Sequence, residues 1–284
     1  MTDDTLTDRR HHAVSADGTR IVGRIHGAGP ALVLVHGGFG DALSEWGGLV
    51  PLLADRFTCY LPDLRGRGLS GDHPDHSRKA RVHDVVAFVE SIGEPVGLVG
   101  VSSGGMLVLG AAAHTDTVAA LAALEPAVLE VVDEDTRARL WQATEALAAG
   151  IEAGRPDEAL APFLPLMANE EEAAVLSEDA AALDEIAAYL PVDLAELRET
   201  LVFEGTSPTD PAVLGNIEAP TLLLHGSRTS LPWMTASIHF VARHIAGATV
   251  HEMVGTGHLA HLIAPERVAD ELVPFFEQAM VTRR

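Results

Sequence analysis

Cysteine is nearly missing from this chain of 284 residues: Cys59 stands alone, which excludes an intramolecular disulfide and a thiolate metal cluster. Cys59 falls in an apolar segment and reads as a buried spectator. Basic residues are also scarce, 19 against 41 acidic ones, for a formal net charge of −22. Such a surface repels polyanions, so neither nucleic acid nor an anionic membrane is expected as a partner, and the acidity itself serves solubility. No apolar run approaches the roughly 18 residues of a membrane span. The polar, acidic start (Met-Thr-Asp-Asp-Thr-Leu-Thr-Asp-Arg-Arg) has no apolar stretch of the kind a secretion signal carries. The expectation is a soluble, cytoplasmic protein. There is no zinc-type His/Cys spacing, no phosphate-binding loop and no internal repeat, so neither metal nor organic cofactor is implied.

What is present is apolar: 47% of residues are hydrophobic, which suits one large α/β domain or a core domain with an insertion. Residues 1 to about 10 read as a flexible tail. Two short strands follow, around Ala13-Val14 and Arg20–His26, joined at the turn signal Asp17-Gly18. The continuous run Ala31–Val35 suits a strand buried on both faces, and it ends in the glycine-rich loop His36-Gly37-Gly38-Phe39-Gly40-Asp41. A helix is expected from about Ser44 to Ala54, then a strand from Phe57 to Leu61. The next loop contains Asp63 and Arg65, read as a bracing ion pair. Val82, Val85, Val86, Val89 and Ile92 recur at helical spacing and give that segment one apolar face. Strands at Val96–Val101 and Val118–Leu124 complete a first half. Alternating strands and helices of these lengths imply a mostly parallel sheet with helices on both faces.

Between residues 126 and 216 the strand-like runs disappear, alanine, leucine and glutamate dominate, and prolines including Pro156, Pro165 and Pro191 punctuate the stretch. This reads as an insertion of several short helices forming a cap, so that residues 1–125 and 217–284 make the two parts of one core. Trp141, Phe163, Leu166, Met167, Tyr189 and Phe203 are its candidates for lining a pocket. The α/β pattern returns with strands at Pro220–His225 and Ala248–Met253, a helix over about Leu231–Ile245, and a last helix opening at Pro265 that buries Val268, Leu272, Phe275 and Phe276.

The chemistry centres on Val96–Met106, a short apolar strand followed by Gly100-Val101-Ser102-Ser103-Gly104 and an apolar helix. This fits G-x-S-x-G on a sharp strand-to-helix turn, where small neighbours let the Ser102 hydroxyl stand clear of the sheet edge. A serine hydroxyl is a poor nucleophile at neutral pH and needs a base, an orienting acid and an oxyanion site.

Taken together, Gly100–Gly104, the His36-Gly37-Gly38 loop, Asp63-x-Arg65-Gly66-x-Gly68-x-Ser70 and Gly255-x-Gly257-His258 resemble the α/β-hydrolase fold superfamily, over about residues 13 to 280. The resemblance implies Ser102 as nucleophile and His258 as general base, with His261 the neighbouring competitor outside the Gly-x-Gly-His pattern. It makes His36 a loop-bracing residue. For the oxyanion it implies the backbone N–H of Ser103, at a helix start, and one more from either Gly38 or Phe39.

The acid departs from the common family pattern. Gly-x-x-Asp, usual after the strand that follows the cap, here reads Gly226-Ser227-Arg228-Thr229, and no Asp or Glu occurs between Thr221 and His251. A subset of haloalkane dehalogenases carries the acid after the strand following the nucleophile helix. The matching strand here ends in Glu125-Pro126, 23 residues after Ser102. The resemblance thus points to Glu125 as a displaced acid, with Asp63 the second candidate. A serine nucleophile argues against dehalogenase or epoxide hydrolase chemistry, whose covalent ester requires a carboxylate. The expected activity is a serine hydrolase cleaving an ester, thioester or lactone of a small to medium apolar molecule. Non-hydrolytic chemistry on the same fold and ligand binding without turnover are the alternatives.

Overall fold

Valine, leucine and alanine runs without polar interruptions can be strands only where both faces are covered, and the sheet is built from such runs. The computed structural model describes residues 9–178, 180–202 and 205–281. Its first half runs β1 (Arg10–Val14), β2 (Arg20–Gly27), β3 (Ala31–Val35), α1 (Ala42–Trp46), α2 (Val50–Leu53), β4 (Thr58–Pro62), α3 (Arg78–Ile92), β5 (Val96–Val101), α4 (Ser102–Ala112) and β6 (Val118–Leu124). The intervening helices are α5 (Glu134–Glu152), α6 (Pro156–Leu160), α7 (Glu170–Glu178), α8 (Ala180–Val202) and α9 (Pro211–Leu214). Then come β7 (Thr221–Gly226), α10 (Pro232–His244), β8 (Thr249–Met253), α11 (Ala260–Ile263) and α12 (Pro265–Val281).

The eight strands form one sheet in the order β1-β2-β4-β3-β5-β6-β7-β8. β2 runs antiparallel to both neighbours and every later pairing is parallel. Every residue of β3, β5, β6 and β7 is buried, which is why β3, β5 and β6 are continuously apolar and not alternating, and β7 carries polar residues only toward its ends, at Thr221 and His225. Each Val or Leu so buried contributes about 1.5–3 kcal/mol relative to exposure. One face packs on α3, α4 and α10 through Val85, Phe88, Leu107 and Ile238; the other packs on α1, α2 and α12 through Trp46, Leu53, Leu272 and Phe276.

Several local expectations are corrected. The helix expected over Ser44–Ala54 is two short ones, because Gly47 and Gly48 interrupt it and Pro51 restarts it within the first turn of α2. Residues 1–8 of the expected tail lie outside the described residues, while Arg10 is already paired with Arg24 in the sheet. Asp63 and Arg65 do not pair with each other. Asp63 meets Arg24 at 3.2 Å, and fully buried Arg65 forms a two-pronged bond to Asp84 at 2.6 Å on each arm and reaches Asp17 at 2.8 Å. Both still brace the loop, through other partners. In the last helix Val268, Leu272 and Phe276 are buried but Phe275 only partly.

The inserted helices are not all short: α5 has 19 residues and α8 has 23, continuing through Pro191. A proline inside a helix costs about 3 kcal/mol. The apolar stripe Ile186, Leu190, Leu194, Leu197 and Leu201 offsets it by packing into a separate core with Leu140, Leu147 and Phe163. Among the described residues no helix is long and apolar enough to cross a membrane.

Candidate active site

The turn from β5 into α4 forces backbones together. A Cβ on Gly100 would lie 2.5 Å from the Gly104 carbonyl, and one on Gly104 would lie 2.2 Å from the His36 carbonyl, so only glycine fits either place. Between them Ser102 sits at φ 54°, a left-handed conformation costly for serine and held by its surroundings. As first residue of α4 it faces a cavity of about 180 Å³, which His258 also lines. Ser103 follows in the first helical turn, where backbone N–H groups have no intrahelical acceptor.

His258 lies in the loop between β8 and α11, and its Nδ1 is 2.7 Å from Oε2 of Glu125. Glu125 continues β6 at φ 40° and is 2% exposed. Its Oε1 accepts the Gly226 N–H at 2.8 Å and the Thr229 hydroxyl. Burial opposes charge on this carboxylate, but the hydrogen bonds and the charge of His258, with Thr229 and Gly226, outweigh it and hold the carboxyl below its usual range. Burial likewise disfavours imidazolium at His258, yet the Glu125 carboxylate outweighs it and raises the ring above the ordinary histidine value. With Nδ1 engaged, Nε2 is the nitrogen left for the cavity.

The competing ring is tied elsewhere: His261 Nε2 is 2.8 Å from Glu45 Oε2. His36 is buried, accepts the Leu64 N–H on Nε2 at 3.0 Å and donates from Nδ1 to the Gly37 carbonyl at 2.8 Å, a neutral ring stitching two loops together. Asp63, the second candidate acid, is used up by Arg24 and the N–H groups of Ala42 and Leu69. Of the two oxyanion candidates, Phe39 (φ 66°) has its N–H bonded to Asp193 Oδ1 at 2.9 Å, and Gly38 lines the cavity beside it.

Phe163, Leu166 and Met167 line the cavity. Trp141 does not: it is 41% exposed, on the outer side of α5. Tyr189 also points away, its hydroxyl donating to Asp41 Oδ2 at 3.1 Å and accepting the Gly68 N–H at 3.2 Å, with the Arg67 guanidinium over its ring. Neither side chain lines the cavity: the outward helix face carries Trp141 into solvent, and the polar tip of Tyr189 is held by Asp41 and Gly68. Phe203 lies outside the described residues.

Two groups were not foreseen. Glu172 is buried and its Oε1 accepts the Leu259 N–H at 2.9 Å, next to His258, while Oε2 caps α7 through the Asn169 N–H at 3.1 Å. A Cβ on Gly257 would meet the side-chain ends of Asn169 and Glu172 at 2.4–2.6 Å, so a larger residue before His258 would have to displace that pair. The capping pattern Asn169-x-x-Glu172 was a readable signal for the helix start, not for this contact. Asp193 and Glu196 of α8 also line the cavity, tied to the core by Arg67 and Arg81. In sequence, acids three apart on a helix read as a solvated face.

Residues 32–271 match the alpha/beta hydrolase family. The chain is 27% identical over 262 residues to pyrrolizixenacetamide deacetylase of Xenorhabdus hominickii, covering 85% of this chain and 89% of that one. Among solved structures it is similar to an alpha/beta hydrolase from Sphaerobacter thermophilus (TM-score 0.72, 28% identity, 94% of this chain and 100% of the other). It also superposes on the esterase RhEst1 from Rhodococcus (TM-score 0.73, 23% identity, 95% and 99% covered), a likeness that concerns the fold. The strand order, the serine turn and the matched span agree: this chain is an enzyme belonging to the alpha/beta hydrolase family.

Proposed function

We propose that this enzyme is a serine hydrolase acting through an acyl-enzyme on Ser102, with His258 as general base and Glu125 as the acid that orients it. The observation that carries the reading is the 2.7 Å bond between Glu125 Oε2 and His258 Nδ1 at the edge of the cavity that Ser102 faces. Glu125 fixes the tautomer in which Nε2 is free to take the Ser102 proton as Oγ attacks the substrate carbonyl. The Ser103 N–H donates a hydrogen bond to the resulting oxyanion, and with Phe39 N–H engaged by Asp193, Gly38 N–H is the second donor. His258 then passes the proton to the leaving group. Water, deprotonated by the same ring, attacks the acyl carbonyl and restores Ser102.

The largely apolar wall (Met106, Leu129, Phe163, Met167, Trp233) suits small to medium apolar acyl compounds: esters, thioesters or lactones. The deacetylase among its relatives adds amides to that set. The test is labelling by a serine-directed fluorophosphonate. Wild type labels, Ser102→Ala does not, Glu125→Gln labels at least a hundredfold more slowly, and Thr229→Ala slows by less than tenfold. Unlabelled wild type would remove Ser102 as an activated nucleophile; a fast Glu125→Gln would remove the assigned acid.

A further inference from the structure

Ser102 and Glu125 stand on strand ends of the sheet, but the loop that carries His258 is gripped by one of the inserted helices. Glu172, in the first turn of α7, is 1% exposed. Its Oε1 accepts the Leu259 N–H at 2.9 Å, and its Oε2 accepts the Asn169 N–H at 3.1 Å. Both oxygens also lie against Gly257, 2.5 and 2.6 Å from where a Cβ on that glycine would stand. One carboxylate therefore meets the residues on either side of His258. Asn169 Oδ1 accepts the Glu172 N–H at 3.0 Å, and this reciprocal bonding fixes the side chain at the positive end of α7.

Capping a helix does not require burial, since a glutamate at this position works as well in water. Here the carboxylate is packed onto the base loop, and among the described residues its side chain bonds two backbone N–H groups and no cation. The positive charge within its influence is the one that forms on His258. Burial opposes imidazolium there, and Glu125 first, then Glu172 and Glu45, outweigh it. Of these three, Glu125 bonds the ring directly, Glu45 of α1 is bonded to His261 of α11, and Glu172 reaches the ring only through its loop. The same segment also holds the neighbouring loop that carries Thr229: Asn169 Nδ2 donates to the Arg228 carbonyl at 3.2 Å and Ser230 Oγ to the Ala168 carbonyl at 3.3 Å.

Resting on the serine hydrolase reading, we infer that Glu172 is a positioning residue for the base: from α7 it fixes the His258 loop and steadies the imidazolium formed when Nε2 takes the Ser102 proton. Glu172 does not line the cavity that Ser102 faces, so it acts through His258 and not on the substrate. The docking of α7 and the readiness of the base are then one and the same contact.

The experiment measures the rate of fluorophosphonate labelling of Ser102 from about pH 5 to about pH 9, which follows the base without needing the substrate. Glu172→Gln keeps the shape but loses the charge and can accept only one of the two N–H groups. Glu172→Ala loses both. Above the inflection Glu172→Gln should label about tenfold more slowly than wild type and Glu172→Ala about a hundredfold, the range that a small misplacement of a catalytic group covers. In both, the inflection should move to lower pH, by less than in Glu125→Gln. Its position does not depend on how much of a variant is folded, so lost stability does not imitate the effect, and Glu172→Gln suffices should Glu172→Ala fail to fold. Glu171→Gln is the control: it removes an exposed charge from the same turn, bonded to Arg228, and should leave the inflection in place. An inflection unmoved in Glu172→Gln, or moved equally in Glu171→Gln, would overturn the inference and leave the triad as assigned. Wild type that does not label at any pH would instead overturn the serine hydrolase reading on which it rests.

Discussion

The hydroxyl of Thr229 donates to one oxygen of Glu125, while the other oxygen of that carboxylate holds His258. Thr229 stands where relatives of this fold commonly place the acid, and the two positions touch because β6 and β7 are adjacent and in register, Leu124 beside Leu224. A carboxylate moved from one strand end to the other would still reach the same imidazole.

That proximity predicts a transplant. Glu125→Gln should lower kcat/KM by about 10²–10⁴, the range expected when the orienting acid of such a triad is lost. Adding Thr229→Asp to it should recover at least tenfold. Thr229→Asp alone should reduce activity, because two carboxylates in contact cannot both ionise freely. Steady-state kinetics on a 4-nitrophenyl ester checks all three, and a double variant no better than Glu125→Gln would refute the adjacency argument.

The His258–Glu125 pair also sets a pH dependence. Under the proposed mechanism His258 works as a neutral base, and its pKa is raised, so kcat/KM should climb with pH through an inflection above the ordinary histidine value of about 6.5. In Glu125→Gln the inflection should move to lower pH, as the charge that favours imidazolium is gone. An unmoved profile would show that another group titrates.

For stability the two signs differ. The raised His258 contributes below about pH 6.5 and loses its contribution as pH rises through its folded value; the lowered Glu125 contributes above about pH 4.3 and loses it as pH falls through its own. The pair therefore helps most between those limits. Urea midpoints of wild type and Glu125→Gln should differ most near pH 5–6, and the gap should shrink by the His258 share, without closing, toward alkaline pH.

Arg65 is a stability residue. It is fully buried and bonded to Asp84 and Asp17, so Arg65→Ala strands the buried Asp84 carboxylate and should cost about 3–5 kcal/mol in urea unfolding. Arg155→Ala, which removes an exposed pair with Glu158, should stay within about 0.5 kcal/mol. Equal effects would contradict the burial argument.

Cys59 is fully buried in β4, and burial pushes its thiol up to about 12. It should resist an aromatic disulfide reagent at pH 8 in the native enzyme and react within minutes in denaturant. Native labelling at the unfolded rate would place β4 in frequent local opening.

The sequence by itself determined the sheet, because strands buried on both faces must be apolar at every position and Ala31–Val35, Val96–Val101 and Val118–Leu124 are. It also marked Ser102, His258 and Glu125, since a serine turn, a Gly-x-Gly-His loop and an acid after a strand are local patterns. That His258 and Glu125, 133 residues apart, meet at 2.7 Å followed only from strand pairing. Other features were decided by contacts between distant segments, which composition does not encode. Trp141 and Tyr189 are as bulky as Phe163, yet one faces outward and the other serves Asp41. Asp193 and Glu196 have the spacing of a solvated face and are buried because Arg67 and Arg81 of the core meet them there. Periodicity fixes which residues share a face of a helix; only packing decides what that face meets.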